Sequence, residues 1–173
     1  MSNINAEISS KEKIERIRKD DKERYNSINE LKNILNIDKL ERIELFDNSH
    51  LFGTYYVGAM VVFRDFLPDK NEYRKYKIDN HTKDDLSAMK EVLYRRYQKA
   101  LMERTELPDL IIVDGGPLQI NIALEVLESL RMNIPIIGLK KDKSHRTSKL
   151  VLSNLTELDI KNKNLFVYLY KMQ

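Results

Sequence analysis

"PDLIIVDGG", Pro108 to Gly116, is the stretch on which the fold turns. Its apolar run predicts a strand covered on both faces. The run ends in a carboxylate, Asp114, followed at once by Gly115 and Gly116. Pro117 suits the first residue of a helix, and "LQINIALEVLESL" is apolar almost all round, which predicts a deeply buried helix. "IPIIGL", Ile134 to Leu139, reads as a second buried strand. Such a strand–helix–strand unit closes as a right-handed parallel crossover.

Upstream the pattern differs. "RIELFDNSH", Arg42 to His50, alternates with Ile43, Leu45 and Asp47 on one face. A turn at "LFG" leads to "TYYVGAMVVF", Thr54 to Phe63, whose β-branched and aromatic residues predict a strand. "RDFLPDKN" reads as a hairpin loop and "EYRKYKI", Glu72 to Ile78, as a third strand, which makes an antiparallel meander. "DDLSAMKEVLYRRYQKALMER" is a helix with Leu86, Met89, Leu93 and Ala100 on one face and Asp84 or Asp85 at its cap. Within it, Leu93 and Tyr97 fall on the packing face, with the arginines of "YRRYQK" solvated.

A first helix is predicted from about Ser9 to Leu35, opened by a capping box of Ser9 and Glu12. Its middle is almost wholly charged, so residues 1–36 read as a helical lead-in and residues 37–173 as the main unit. The whole is an α/β chain: three antiparallel strands, then parallel strands, in one mixed sheet flanked by helices. That order is the pattern of a ribonuclease-H-like fold.

Composition sets the bounds. The 173 residues suit one domain with an appended helix, 42% being hydrophobic and 33% charged. The net charge of +3, with a pI near 8.9, is compatible with a nucleic-acid partner without requiring one. There is no cysteine, which excludes disulfides and thiolate metal sites. No apolar signal core and no membrane-length run occurs, so a cytoplasmic protein is expected.

If the first strand lies parallel to the strand ending at Asp114, Asp47 and Asp114 meet at the carboxyl ends, where ligands of open α/β sheets sit. Two carboxylates held close need a proton or a cation between them. Mg²⁺ or Mn²⁺ prefers such oxygen ligands, and paired ions of this kind cleave phosphodiesters. Gly115 and Gly116 would leave room for a phosphate backbone. The alternative is structural: Asp114 caps the helix at Pro117, and Asp47 starts a turn into "NSH". A phosphate-binding loop is excluded, because "DGGPLQI" lacks the Gly-Lys-Ser/Thr ending.

The blocks "RIELFDNSHLFGTYYVGAMVVF", "EYRKYKI", "DDLSAMKEVLYRRY", "LPDLIIVDGGPLQI" and "IIGLKKDKSHRT" resemble, in order and spacing, the C-terminal endonuclease domain of the UvrC family, the incision subunit of bacterial nucleotide excision repair. The resemblance runs from about Leu31 to the chain's end. It implies a ribonuclease-H-like, metal-dependent endonuclease that cuts the damaged strand 5′ to a lesion. Asp47 and Asp114 match the family's two catalytic aspartates, and Asp85 matches a further acidic position that a helix cap explains equally well. Pro117 and Leu118 depart from the lysine and glycine usual in the family. The resemblance places a catalytic histidine in an "Asp-Glu-x-His" segment after a helix like "LFVYLYKMQ". The 173 residues are therefore expected to be a fragment, impaired without that histidine.

Lys140, Lys141, Lys143, His145, Arg146 and Lys149 form a basic loop on the expected catalytic rim, suited to sequence-independent phosphate contacts or merely solvated. His145 belongs to this block and is no substitute for the missing histidine. His50 reads as a hydrogen-bonding residue near Asp47, and His81 as a loop residue. The partners implied by the resemblance are damaged double-stranded DNA, UvrB and the UvrA-loaded repair complex. A different class also remains open: a catalytically inactive ribonuclease-H-like module that binds DNA or a partner.

Overall fold

The run Leu110–Asp114 is a strand with every residue buried, as a continuous apolar segment between two helical layers requires. In the computed structural model, which describes residues 2–53, 55–79, 84–141 and 147–173, it is β5. Before it come α1 (Ser2–Leu35), β1 (Arg42–Phe52), β2 (Tyr55–Arg64), β3 (Leu67–Pro68), β4 (Arg74–Asp79) and α2 (Asp85–Glu103). After it come α3 (Pro117–Ser129), β6 (Ile136–Lys141), β7 (Thr147–Val151), β8 (Glu157–Asp159) and α4 (Lys163–Met172).

The sheet order is β3-β2-β1-β5-β6-β7-β8, with β4 paired to the outer edge of β2. β1, β5 and β6 run parallel, and the remaining pairs are antiparallel. This is the mixed sheet expected of a ribonuclease-H-like fold. One face carries α2 and α3 over Phe46, Met89, Leu93, Tyr97, Val113 and Ile120. The other carries α4 and the end of α1 over Leu31, Ile43, Leu45, Leu110, Ile112 and Leu169.

Several elements differ from the sequence reading. α1 begins at Ser2, so Ser9 and Glu12 lie inside a helix that no glycine or proline interrupts. Its last turns belong to the core, Leu31 being wholly buried. α3 is a surface helix: Ile120, Ala123, Val126 and Leu127 are buried, whereas Leu118 is 63% exposed. The end of the segment read as a basic loop is β7, laddered on β6, and β8 is laddered in turn on β7; these ladders outweigh a weak strand pattern. In α2, Arg95 is exposed but Arg96 is buried, for a reason found on β1.

Glu44 is fully buried there. Its carboxylate accepts from Arg42 Nε (2.9 Å), Arg96 Nε (3.0 Å) and Nη2 (2.9 Å), and the Tyr97 hydroxyl (3.0 Å). A charge so deeply buried persists only when its lone pairs are this fully matched. The network ties α2 to β1 on the face opposite Asp47.

Candidate active site

Period-two alternation decides where the aspartates point. The parallel register pairs Leu45 with Ile112 and Phe46 with Val113, so the next step sets Asp47 beside Asp114. Both continue the face of Ile43, Leu45, Leu110 and Ile112, the face covered by α4 and α1. Directly after Asp47 the β1–β2 register shifts within the ladder, an irregularity of the kind that re-aims a side chain next to a site.

Asp114 is almost wholly buried, at 4% exposure. Lys141 Nζ, from the neighbouring strand β6, lies 3.4 Å from its Oδ2. The Gln173 side-chain amide, just past α4, donates to its Oδ1 and also to the Leu139 carbonyl at 2.9 Å. Neither bond belongs to helix capping. The α3 N-cap is Gly116, whose N–H donates to Gln119 Oε1 at 3.0 Å. Gln119 folds over Gly115, where φ is +151° and a Cβ would come within 2.5 Å of the Gln119 side chain. The glycine pair thus serves the turn and the returning glutamine, and Asp114 is left for partners outside its own helix.

The other expected site residues are distributed as follows. Asp85 is the first residue of α2, in the opposite helical layer, and is exposed. Its neighbour Asp84 is the cap, accepting from the Ser87 N–H at 2.6 Å, a bond that holds the Asp84 carboxyl below its ordinary value. Lys140 and Lys149 face one another across β6 and β7. They pair with Glu157 on β8 at 3.1 and 3.5 Å, and hydrogen bonding from Lys140 holds that carboxyl below its ordinary range. Alternation puts them on the opposite face from Leu139 and Asp114. Lys141, by contrast, reaches Asp114. Lys143, His145 and Arg146 lie outside the described residues, as do His81 and the side chain of His50.

Gln173 and the close partnership of Lys141 with Asp114 were missed by sequence reasoning. Lys141 was findable, since it continues the Ile137–Leu139 face of β6 once the strand is extended by two residues. Gln173 was not, because its place depends on how α4 packs. Among the described residues no group of three or more histidine, aspartate or glutamate side chains forms a metal cluster.

The UvrC RNase H endonuclease domain family matches residues 32–173. The chain is 42% identical, over 98% of its length, to UvrABC system protein C of Streptococcus uberis, of which it spans 29%. It is 45% identical, over 86% of its length, to UvrABC system protein C of Malacoplasma penetrans, of which it spans 26%. Among solved structures, Ciona intestinalis endonuclease V bound to an inosine-containing DNA aligns with 76% of this chain and 59% of that one, at 17% identity and a TM-score of 0.42. Human ENDOV aligns with 65% of this chain and 63% of that one, at 11% identity and a TM-score of 0.38. At these scores the likeness adds nothing to the family match. The chain belongs to the UvrC RNase H endonuclease domain family.

Proposed function

We propose that this chain is the endonuclease domain of a nucleotide excision repair incision subunit and that it hydrolyses one phosphodiester bond of damaged DNA 5′ to the lesion. The observation that carries the reading is the parallel register of β1 on β5, whose next step after Phe46 and Val113 sets Asp47 and Asp114 on one face, where the paired stretch ends. The donor set fits Mg²⁺ or Mn²⁺: two carboxylates of the hard-oxygen class at the rim of an apolar layer. When bound there by Asp47 and Asp114, a divalent cation would supply charge neutralisation and a more acidic water for attack on phosphorus.

The chain's own groups have definable parts. Asp114 is oriented by the Gln173 amide, which is itself anchored on the Leu139 carbonyl. Lys141 holds a fixed ammonium beside it, available to a non-bridging phosphate oxygen. In hydrolysis the oxygen of water bonds to phosphorus, the ester bond to one sugar oxygen breaks, and that oxygen takes up a proton. The resemblance assigns an acid or base to a histidine in a segment after a helix like α4.

DNA, UvrB and the UvrA-loaded complex are the partners proposed from the family, and the cytoplasm is the proposed location. No helix among the described residues is long and apolar enough to cross a membrane. Asp47→Asn and Asp114→Asn, each tested in a reconstituted incision reaction, are expected to abolish the 5′ cut and leave DNA binding largely in place. Unchanged cutting by both variants overturns the assignment. One observation favours a second reading, a binding module without catalysis: both oxygens of Asp114 already take nitrogen donors. Mn²⁺ titration separates the two, because binding lost in Asp114→Asn supports the nuclease and absence of binding at millimolar metal supports the module.

A further inference from the structure

The register extends the row of aspartates across the sheet. Asp47 on β1 pairs with Ala59 on β2, and Ala59 pairs with Lys75 on β4. Paired residues share a face, so Asp114, Asp47, Ala59 and Lys75 form one row on the catalytic face. Lys75 stands two inter-strand spacings from Asp47, roughly 10 Å. Lys77, paired with Val57, follows on the same face about 7 Å farther along the strand.

Among the described residues, this half of the face is less covered than the half under α4. Along β2 the residues turned toward α2 are buried, whereas Tyr55, Val57, Ala59 and Val61 on the catalytic side are only partly covered. The result is a shallow shelf floored by Val57, Ala59 and the Tyr55 ring and edged by lysines. Tyr55 lies on it, with Lys77 Nζ 4.4 Å above its ring. Lys75 and Lys77 are both exposed, and no carboxylate among the described residues lies within ion-pair distance of either. Arg74, which points to the other face, is paired with Glu72 at 3.7 Å. Among the described residues, the cations of this strand without a carboxylate partner are therefore the two that face the aspartates. Lysines on an edge strand commonly guard against edge-to-edge association, but that role is indifferent to face.

Building on the nuclease reading, we infer that this shelf is the seat of the DNA strand beside the bond to be cut. Lys75 and Lys77 hold two successive flanking phosphates, and Tyr55 and Ala59 lie beneath the intervening sugar and base. A polyanion is the chemistry that unpaired lysines select, and continuity with the carboxylates selects the strand being cut over a separate ligand. The shelf lies on the opposite side of the aspartates from Lys141, so a strand crossing the site has a cation on each flank.

The test is binding of a fluorescent single strand to the 173-residue chain by anisotropy, from about 50 to 200 mM salt. Lys75→Ala with Lys77→Ala is expected to weaken binding about tenfold at the low-salt end and to flatten the plot of log K against log salt by about 1.4, the value for two single-strand phosphate contacts. Lys11→Ala with Lys13→Ala, on the exposed arm of α1, is the charge-matched control. Ala59→Phe fills the shelf while keeping every charge, and is expected to weaken binding with little change in slope. The inference is overturned if the Lys75/Lys77 pair behaves like the control, or if the parent chain does not bind at low salt. A failure of Asp114→Asn to abolish cutting would remove the nuclease reading yet leave this binding result intact, so the two failures are distinguishable.

Discussion

Lys141 holds its ammonium 3.4 Å from Asp114 Oδ2, reaching it from the strand next to the one that carries the carboxylate. Because Asp114 is buried and Lys141 is partly exposed, the ion pair sits at a boundary where charge is only partly screened. A divalent cation at Asp114 would meet this positive charge. Lys141→Met should therefore raise the affinity of the chain for Mn²⁺, by roughly tenfold for a charge term near 1.4 kcal/mol. Calorimetric titration with Mn²⁺ alone checks it, with Asp114→Asn as the variant that loses binding. Equal or weaker affinity in Lys141→Met would show that the lysine does not compete for that carboxylate.

The shared face of the aspartates was legible because Asp47 continues an alternating run and Asp114 ends an apolar one, and alternation fixes which face a residue takes. Adjacency of the two strands was a condition taken from the ribonuclease-H-like pattern, and the β1–β5 register meets it. Glu44 was not legible as a buried charge: it looks like the polar residue of a half-exposed strand. Its partners Arg96 and Tyr97 lie on a helix that only tertiary packing brings over it. β7 and β8 were hidden for a related reason. Their polar residues and short length give little local preference; the edge of β6 sets β7, and β7 sets β8. The functional face of β4 was equally hidden, since the role of Lys75 depends on register across two other strands.

The Glu44 network makes a stability prediction. Glu44→Gln keeps the shape but leaves Arg96 without a carboxylate, and losing one partner of a buried pair costs about 3–5 kcal/mol. Arg42 is less affected, since its Nη1 also reaches Glu106 at 3.4 Å and Glu72 at 3.8 Å. Replacing Glu44 and Arg96 together by methionine should recover most of the loss, because apolar substitution of a whole buried pair is often neutral. Urea unfolding of the single and double variants checks this. A double variant as unstable as the sum of its singles would refute the coupling.

Gly138 on β6 has no room for a side chain. A Cβ there would lie 2.5 Å from the Gly115 carbonyl oxygen and 3.2 Å from Ile120 Cδ1. The Gly115 contact is with backbone, immediately after Asp114, so relief requires moving the turn that carries the carboxylate. Gly138→Ala should destabilise by about 1–3 kcal/mol, as overpacked cores do, and should weaken Mn²⁺ binding as well. Thermal melting and metal titration read the two effects separately. A variant with an unaltered melting temperature would mean that the turn yields freely.

Tyr97 gives the fold an alkaline limit. It is completely buried and donates its hydroxyl to Glu44. Burial, reinforced by the Glu44 charge, pushes the phenol well above the ordinary tyrosine value. The folded state thus keeps a proton that the unfolded chain releases near pH 10. Stability from this group is complete below that pH and is lost as pH rises toward the folded value, at up to about 1.4 kcal/mol per pH unit. Tyr97→Phe should cost about 1–2 kcal/mol at neutral pH, through the lost bond to a buried carboxylate. Its stability should then fall less steeply above pH 10 than that of the parent. Tyr73, Tyr76 and Tyr168 are also raised by burial and persist in the variant, so the slope shrinks but does not vanish. Urea unfolding at neutral pH and at about pH 10.5 measures the difference, and parallel pH profiles for parent and variant would place the alkaline loss in other groups.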